Sequence, residues 1–337
     1  MRIAINGFGR IGRVFFRQVC ELPAEQAGKF EIVAINDLSD INDLAYLLKH
    51  DTVYGQFSKS VEVQGGNLIV DGKSVRVFAE KEPEQLPWQD LQVDVVVEAT
   101  GVFTTRDAAA RHLAAGAKRV VLTAPAKDEA TLTATPNLNI QALSQDTISS
   151  NASCTTNAIN PVVAIMAKTV GIKQAILNTI HGYTATQSLV DGVTKGQDFR
   201  RGRAAAQNIV PSTPGASETT ARVLPELKGK FVGLAFRVPV VSGSIADITF
   251  ISERPTTVEE VNNIFRTEAA KPEWQGILKV TDEPLVSSDV LGEPYGAIVD
   301  LTLTQVVGNL VEVFSWYDNE WGYCAMLLKH LEALPLK

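Results

Sequence analysis

The stretch from Arg2 to Leu22 constrains the fold more than any other. Arg2-Ile3-Ala4-Ile5-Asn6 is a short apolar strand that runs directly into Gly7-Phe8-Gly9-Arg10-Ile11-Gly12, and Arg13 to Leu22 reads as a helix. A glycine turn alone occurs in many α/β proteins. Between a strand and a helix, the G-x-G-x-x-G spacing becomes a dinucleotide fingerprint. Gly7 permits the tight turn, Gly9 lets the backbone approach a pyrophosphate, and Gly12 allows close helix–strand packing. The phosphates then sit on the helix N-terminus. A second strand, 31–35, ends in Asn36-Asp37. An acid at that place hydrogen-bonds a ribose 2′-hydroxyl and repels a 2′-phosphate, so NAD is the expected cofactor rather than NADP.

The organisation changes near residue 150. Before it, the apolar strand candidates 93–99, 119–123 and 147–149 alternate with helical runs such as 106–115. Alternation of that kind predicts a mostly parallel, doubly wound sheet of Rossmann type. Ligands bind at the carboxyl ends of its strands, which places Thr100-Gly101 and Thr123-Ala124 beside the cofactor. After Cys154 come longer strands with partial alternation, at 175–181, 231–239, 245–252, 297–304 and 310–317, with helices at 258–270 and 320–334. The fold class is therefore α/β, with a Rossmann-type N-terminal domain (1–150) and an α+β catalytic domain with a mainly antiparallel sheet (151–318). The final segment, 319–337, is expected to form a helix that packs back toward the first domain.

Ser153-Cys154-Thr155-Thr156-Asn157 places a thiol among small hydroxyl and amide residues, just before the helical stretch 158–170. A lone cysteine is more often a small buried hydrophobe. At a helix start, however, the macrodipole and backbone N–H groups favour thiolate, and the same N–H groups can hold an oxyanion. A base must accompany it. Of the four histidines, His112 and His330 lie in helical runs and read as packing or surface residues, and His50 sits at a helix end. His181 closes the strand at 175–180 and opens the polar loop Gly182-Tyr183-Thr184-Ala185-Thr186-Gln187, which makes it the best partner for Cys154.

The 337 residues suit two domains, and the 45% hydrophobic content suits substantial cores. No apolar run approaches the roughly 20 residues of a membrane span. The net charge of −7, with no basic tract beyond Arg200-Arg201-Gly202-Arg203, argues against nucleic acid as the principal partner. Cys20, Cys154 and Cys324 form no disulfide framework, the first strand begins at Arg2 with no signal peptide before it, and a cytoplasmic setting is expected. No metal-ligand cluster stands out.

The strings at 4–13, 34–38, 149–157, 181–187, 203–211, 235–239 and 316–323 carry a further reading. Through them the chain resembles the phosphorylating glyceraldehyde-3-phosphate dehydrogenases over essentially its whole length. Ser-Asn-Ala-Ser-Cys-Thr-Thr-Asn at 150–157 and Trp-Tyr-Asp-Asn-Glu-Trp-Gly-Tyr at 316–323 are the most specific. The resemblance implies that Cys154 is the nucleophile and His181 its acid/base partner. It implies that Thr184 and Arg237 bind the phosphate of glyceraldehyde 3-phosphate, and that Ser153, Thr155, Arg201 and Gly215 surround the attacking inorganic phosphate. Arg10, Ile11, Asp37 and Thr123 should contact NAD, with a backbone contact from Lys81, and Asn319 should hold the nicotinamide carboxamide. It also implies a homotetramer, with the loop 184–203 near a neighbouring subunit's cofactor.

Three positions depart from the family pattern. Pro214 stands where a threonine hydroxyl usually helps hold the attacking phosphate, and it has neither hydroxyl nor N–H. Val193 replaces a proline that helps exclude NADP. Ala158 replaces a second cysteine and so removes a possible oxidative partner of Cys154. Two other functions share these features: an erythrose-4-phosphate dehydrogenase, and a non-catalytic NAD-binding or redox-sensing protein on the same fold. Tyr183-Thr184-Ala185-Thr186-Gln187 keeps the form of the triose enzymes, and the set Cys154, His181, Thr184, Arg237 and Asn319 is complete.

Overall fold

Apolar runs buried on both faces build the first sheet, and alternating runs build the second. The computed structural model describes residues 1–26, 28–194, 198–213 and 215–335. The chain divides into two units, Met1–Ala134 with Asn139–Ala152 and Leu327–Lys337, and Thr135–Leu138 with Ser153–Met326.

The first unit opens with β1 (Arg2–Asn6), α1 (Arg10–Cys20), β2 (Glu31–Asn36) and α2 (Ile41–Lys49). A small hairpin, β3 (His50–Asp51) and β4 (Gly55–Gln56), precedes β5 (Val61–Gln64), β6 (Asn67–Val70) and β7 (Lys73–Phe78). Then come β8 (Val95–Glu98), α3 (Arg106–Ala114), β9 (Arg119–Leu122), β10 (Leu132–Thr133) and β11 (Ile148–Ser150). The sheet order is β10-β11-β9-β8-β1-β2-β7-β6-β5. All pairings from β10 to β7 are parallel, and β6 and β5 add an antiparallel edge. β1 is flanked by β2 and β8, and its residues Ile3, Ala4 and Ile5 are fully buried, as strands covered on both faces require.

α1 begins at Arg10 rather than Arg13, because Gly9, in extended backbone, serves as its N-cap inside the glycine motif. The β5–β7 meander falls outside the expected pattern, yet its signals are in the sequence. Gly65-Gly66 and Asp71-Gly72 each link two strands through two residues with positive φ (57°, 76°, 46° and 74°). That is the hairpin turn whose twist matches paired strands.

The second unit contains α4 (Cys154–Thr169), β12 (Gln174–Gly182), β13 (Val210–Ser212), α5 (Ala216–Val223), β14 (Phe231–Val238) and β15 (Ser244–Ile251). It continues with α6 (Val258–Ala269), β16 (Leu278–Thr281), β17 (Ala297–Val307) and β18 (Leu310–Tyr317), after which α7 (Trp321–Glu332) begins. The order is β13-β14-β12-β15-β18-β17-β16, with only β12–β14 and β16–β17 parallel. The sheet is mainly antiparallel, as expected. β12, β15 and β18 alternate buried and open positions. Their inward residues Leu177, Ile248, Phe250, Val311 and Val313 join Ile159, Val162 and Met166 of α4 and Val261 and Phe265 of α6 in one core. Each such side chain contributes about 1.5–3 kcal/mol when buried. No helix among the described residues is long and apolar enough to cross a membrane.

Candidate active site

Cys154 is the first residue of α4, four residues earlier than the apolar periodicity suggests. Ser153 draws the helix back: its side chain accepts a hydrogen bond from the Thr156 N–H at 3.1 Å as the N-cap. Ala152, two residues before the thiol, holds left-handed backbone at φ 58°. A non-glycine residue there costs of order 1–3 kcal/mol and marks a site fixed by its surroundings.

His181 lies near the end of β12 and is buried. Its Nε2 is 3.4 Å from the Cys154 Sγ. The parallel register of β12 and β14 sets Arg237 directly opposite His181. The Arg237 Nη1 lies 2.7 Å from His181 Nδ1, and the same nitrogen donates to the Gly182 carbonyl at 3.2 Å. Nδ1 is also 2.7 Å from that carbonyl. A guanidinium has donors only, so Nδ1 acts as acceptor and the ring proton rests on Nε2, facing the sulfur.

The electrostatics follow from this packing. Burial, reinforced by the Arg237 charge, lowers the His181 pKa to about 3. Burial pushes the Cys154 thiol up, against the pull of Arg237 and the helix-start hydrogen bonds. The helix start therefore does not by itself yield a thiolate. Desolvation outweighs it in the resting site, which holds a neutral thiol beside a neutral imidazole.

Three further groups frame the pair. Tyr317, closing β18, places its hydroxyl 3.0 Å from Thr155 Oγ1 and 2.7 Å from Thr179 Oγ1, and its ring meets His181 edge-on at 5.9 Å. Thr179 precedes His181 by two residues on β12, hence on the same face. Ser244 Oγ accepts from the Gly182 N–H at 3.2 Å and donates to Asn319 Oδ1 at 2.8 Å. Asn319 Oδ1 also accepts from the Gly243 N–H, which leaves its amide as a donor. Tyr317, Thr179 and Ser244 were not singled out in the sequence. Tyr317 lies inside the 316–323 string, and the two-residue spacing of Thr179 from His181 was the available signal.

The phosphate candidates lie less close together. Thr184 Oγ1 is 3.0 Å from Thr186 Oγ1, to which Arg201 also donates at 3.5 Å. Gly215 is the N-cap of α5 and its carbonyl takes the Thr219 N–H and hydroxyl. No direct bond joins Thr184, Arg201 or Gly215 to Cys154, His181 or Arg237. Pro214 lies outside the described residues. Ser212 is buried, with an Oγ that makes no hydrogen bond.

In the nucleotide unit the residues fit a dinucleotide. Gly7 has φ +93° and a Cβ on it would stand 2.7 Å from the Thr100 nitrogen; one on Gly12 would stand 2.3 Å from the Gly7 carbonyl oxygen. At Gly9 nothing lies within 4 Å of that position, so the backbone there is open to a ligand. α1 starts beside it with no side-chain cap. Asp37 follows β2, and its carboxylate accepts the Phe8 and Ser39 N–H groups at 2.7 and 2.9 Å. Arg10 pairs with Asp51, Thr123 Oγ1 donates to the Glu98 carbonyl, and Lys81 is exposed.

A dinucleotide-binding unit, with a second unit that presents a thiol to an imidazole, defines an NAD-dependent dehydrogenase. Residues 1–106 match the family model for the glyceraldehyde 3-phosphate dehydrogenase NAD binding domain, and 153–319 match its C-terminal domain. A glyceraldehyde-3-phosphate dehydrogenase of Thermotoga maritima is 49% identical over 335 residues, covering 99% of this chain and 98% of that protein. That of Geobacillus stearothermophilus is 46% identical over 325 residues, with 96% and 95% covered. Glyceraldehyde-3-phosphate dehydrogenase 2 of Streptomyces avermitilis is 44% identical over 330, with 97% and 96% covered. The chain belongs to the glyceraldehyde-3-phosphate dehydrogenase family.

Proposed function

We propose that this chain oxidises D-glyceraldehyde 3-phosphate to 1,3-bisphosphoglycerate through a thioester on Cys154, consuming inorganic phosphate. The observation that carries this reading is the 3.4 Å approach of Cys154 Sγ to His181 Nε2, with Arg237 on the opposite ring nitrogen.

Arg237 is the group that recognises the substrate phosphate, with Thr184. An anion draws the guanidinium off Nδ1, because a charge-assisted bidentate pair is stronger than its bond to a neutral ring. The ring then changes tautomer by exchange with solvent: Nε2 gives up its proton, Nδ1 gains one and donates it to the Gly182 carbonyl, already 2.7 Å away, and the freed Nε2 takes up the thiol proton. The Cys154 thiolate adds to the aldehyde carbon, and His181 Nε2–H protonates the resulting oxyanion, giving a hemithioacetal and a neutral ring. As the carbon is oxidised, Nε2 takes back the hydroxyl proton and the thioester forms. NAD, held by Gly7, Gly9, Arg10, Ile11, Gly12, Asp37 and Thr123 with Asn319 on its carboxamide, supplies the hydride acceptor when bound. Inorganic phosphate then attacks the thioester carbon. Ser153, Thr155, Arg201 and Gly215 orient it, the acyl phosphate leaves, and the Cys154 sulfur is released.

The protein works as a homotetramer in the cytoplasm. Support for assembly comes from the loop 184–203, where Leu189, Val190, Val193 and Phe199 are 75–99% exposed. Several large apolar side chains exposed within one loop offer a surface for such a contact. The test is NADH formation from glyceraldehyde 3-phosphate with and without inorganic phosphate. Sustained turnover should require phosphate. Turnover on erythrose 4-phosphate alone would favour the related sugar-phosphate dehydrogenase.

A further inference from the structure

Below the glycine motif the nucleotide unit holds a buried polar relay that the reaction never touches. Trp88, His112 and Glu98 are 0%, 0% and 2% exposed. The Trp88 indole N–H donates to His112 Nδ1 at 3.0 Å. An indole is a donor only, so the ring proton sits on Nε2 and donates to Glu98 Oε2 at 3.1 Å. Asn6 Nδ2 donates to the same oxygen at 2.5 Å, and Asn6 Oδ1 takes the Asn36 amide at 2.7 Å. The other carboxylate oxygen accepts both the N–H of Thr100, at 2.9 Å, and its hydroxyl. Thr100 Oγ1 in turn accepts the Val102 N–H at 3.0 Å.

Four donors thus converge on one buried carboxylate. A core that only packs needs no such arrangement, since burying charge is costly and apolar residues of the same volume serve as well. The relay joins the carboxyl ends of β1, β2 and β8 to the turn Ala99–Gly101. That turn abuts the glycine motif: the Thr100 nitrogen and Cα stand 2.7 and 2.9 Å from where a Gly7 Cβ would be. Gly7 also donates its N–H to the Asn36 carbonyl at 2.8 Å.

We propose that the Trp88–His112–Glu98 relay is a positioning device for the pyrophosphate cradle, clamping the Ala99–Gly101 turn against Gly7 and so setting dinucleotide affinity without touching the ligand. The proposal rests on the cofactor reading above. Its residues act through Thr100 and Gly7.

The experiment is calorimetric titration of the full chain with NAD and with ADP-ribose, which shares the pyrophosphate but lacks nicotinamide. Thr100→Val keeps the shape of the side chain and removes the hydroxyl that Glu98 and Val102 use. It should weaken both ligands about tenfold, as expected for a lost hydrogen bond to a charged group. Thr100→Ser should restore affinity to within about twofold of the original. The rate of Cys154 alkylation in NAD-free protein should not change. His112→Phe should weaken both ligands similarly; if it does not fold, the Thr100 pair decides. Unchanged affinity in Thr100→Val, with only a lower Tm, would overturn the proposal and leave the relay as support for the fold. Failure of the unmodified protein to bind NAD would instead overturn the cofactor reading.

Discussion

Arg237 donates a hydrogen bond to His181 Nδ1 at 2.7 Å, and this contact decides which ring nitrogen carries the proton. It keeps the imidazole neutral and turns its Nε2–H toward Cys154. The same arginine is the group proposed to meet the substrate phosphate. On that proposal, substrate binding and preparation of the base are one event, because the Arg237 nitrogen now on Nδ1 leaves it to meet the phosphate.

Replacing Arg237 with methionine should have two effects. The KM for glyceraldehyde 3-phosphate should rise about 10- to 100-fold, the loss of a charge-assisted hydrogen bond. The acid limb of the single-turnover rate should also move to higher pH. Burial and the Arg237 charge both lower the His181 pKa, so removing the charge lets the ring protonate at higher pH. An acid limb that stays in place would show that Arg237 does not govern the imidazole.

Cofactor choice tests the other unit. Asp37 is held by the Phe8 and Ser39 N–H groups, which aim its carboxylate at the end of β2. Asp37→Ala should weaken NAD binding and relax discrimination against NADP, since both the ribose contact and the repulsion disappear. Val193 is 99% exposed in this chain. Equal kcat/KM for NAD and NADP in the unmodified protein would contradict the assignment.

Two buried histidines predict an acid-sensitive fold. Burial lowers His181 to about 3 and His330 to about 4, against 6.5 for the free ring. Below pH 6.5 the unfolded chain binds protons that the folded chain refuses, so stability falls as pH drops through this window. Between pH 7 and 5 each ring accounts for about 2 kcal/mol. Urea midpoints should fall accordingly, and His330→Gln should flatten the dependence while losing the 2.9 Å bond to Ser149. A midpoint that is independent of pH over this range would refute it.

Much of this was legible in the chain. The strand–glycine–helix motif fixed the centre of the first sheet because each of its glycines answers a steric demand at Gly7, Gly9 or Gly12. Cys154 and His181 were paired on residue type and helix or strand end alone, and the register of β12 with β14 then adds Arg237. The protonation state was not legible, because desolvation depends on what covers a group rather than on its neighbours in sequence. His112 shows the same limit, for it is buried as a packing residue would be. In a helical run it reads as a packing residue, and only the fold brings Trp88 and Glu98 to its two nitrogens. The hydroxyl of Tyr317, between Thr155 and Thr179, unites residues 138 and 162 positions away.

The covalent role of Cys154 is the centre of the account, and intact mass spectrometry tests it most directly. The protein is mixed with NAD and glyceraldehyde 3-phosphate without inorganic phosphate, quenched in acid, and weighed. The account predicts one phosphoglyceroyl group per chain, localised to Cys154, released on addition of inorganic phosphate and absent from Cys154→Ser. NADH formation with no adduct on Cys154, or an adduct that persists in Cys154→Ser, would contradict it.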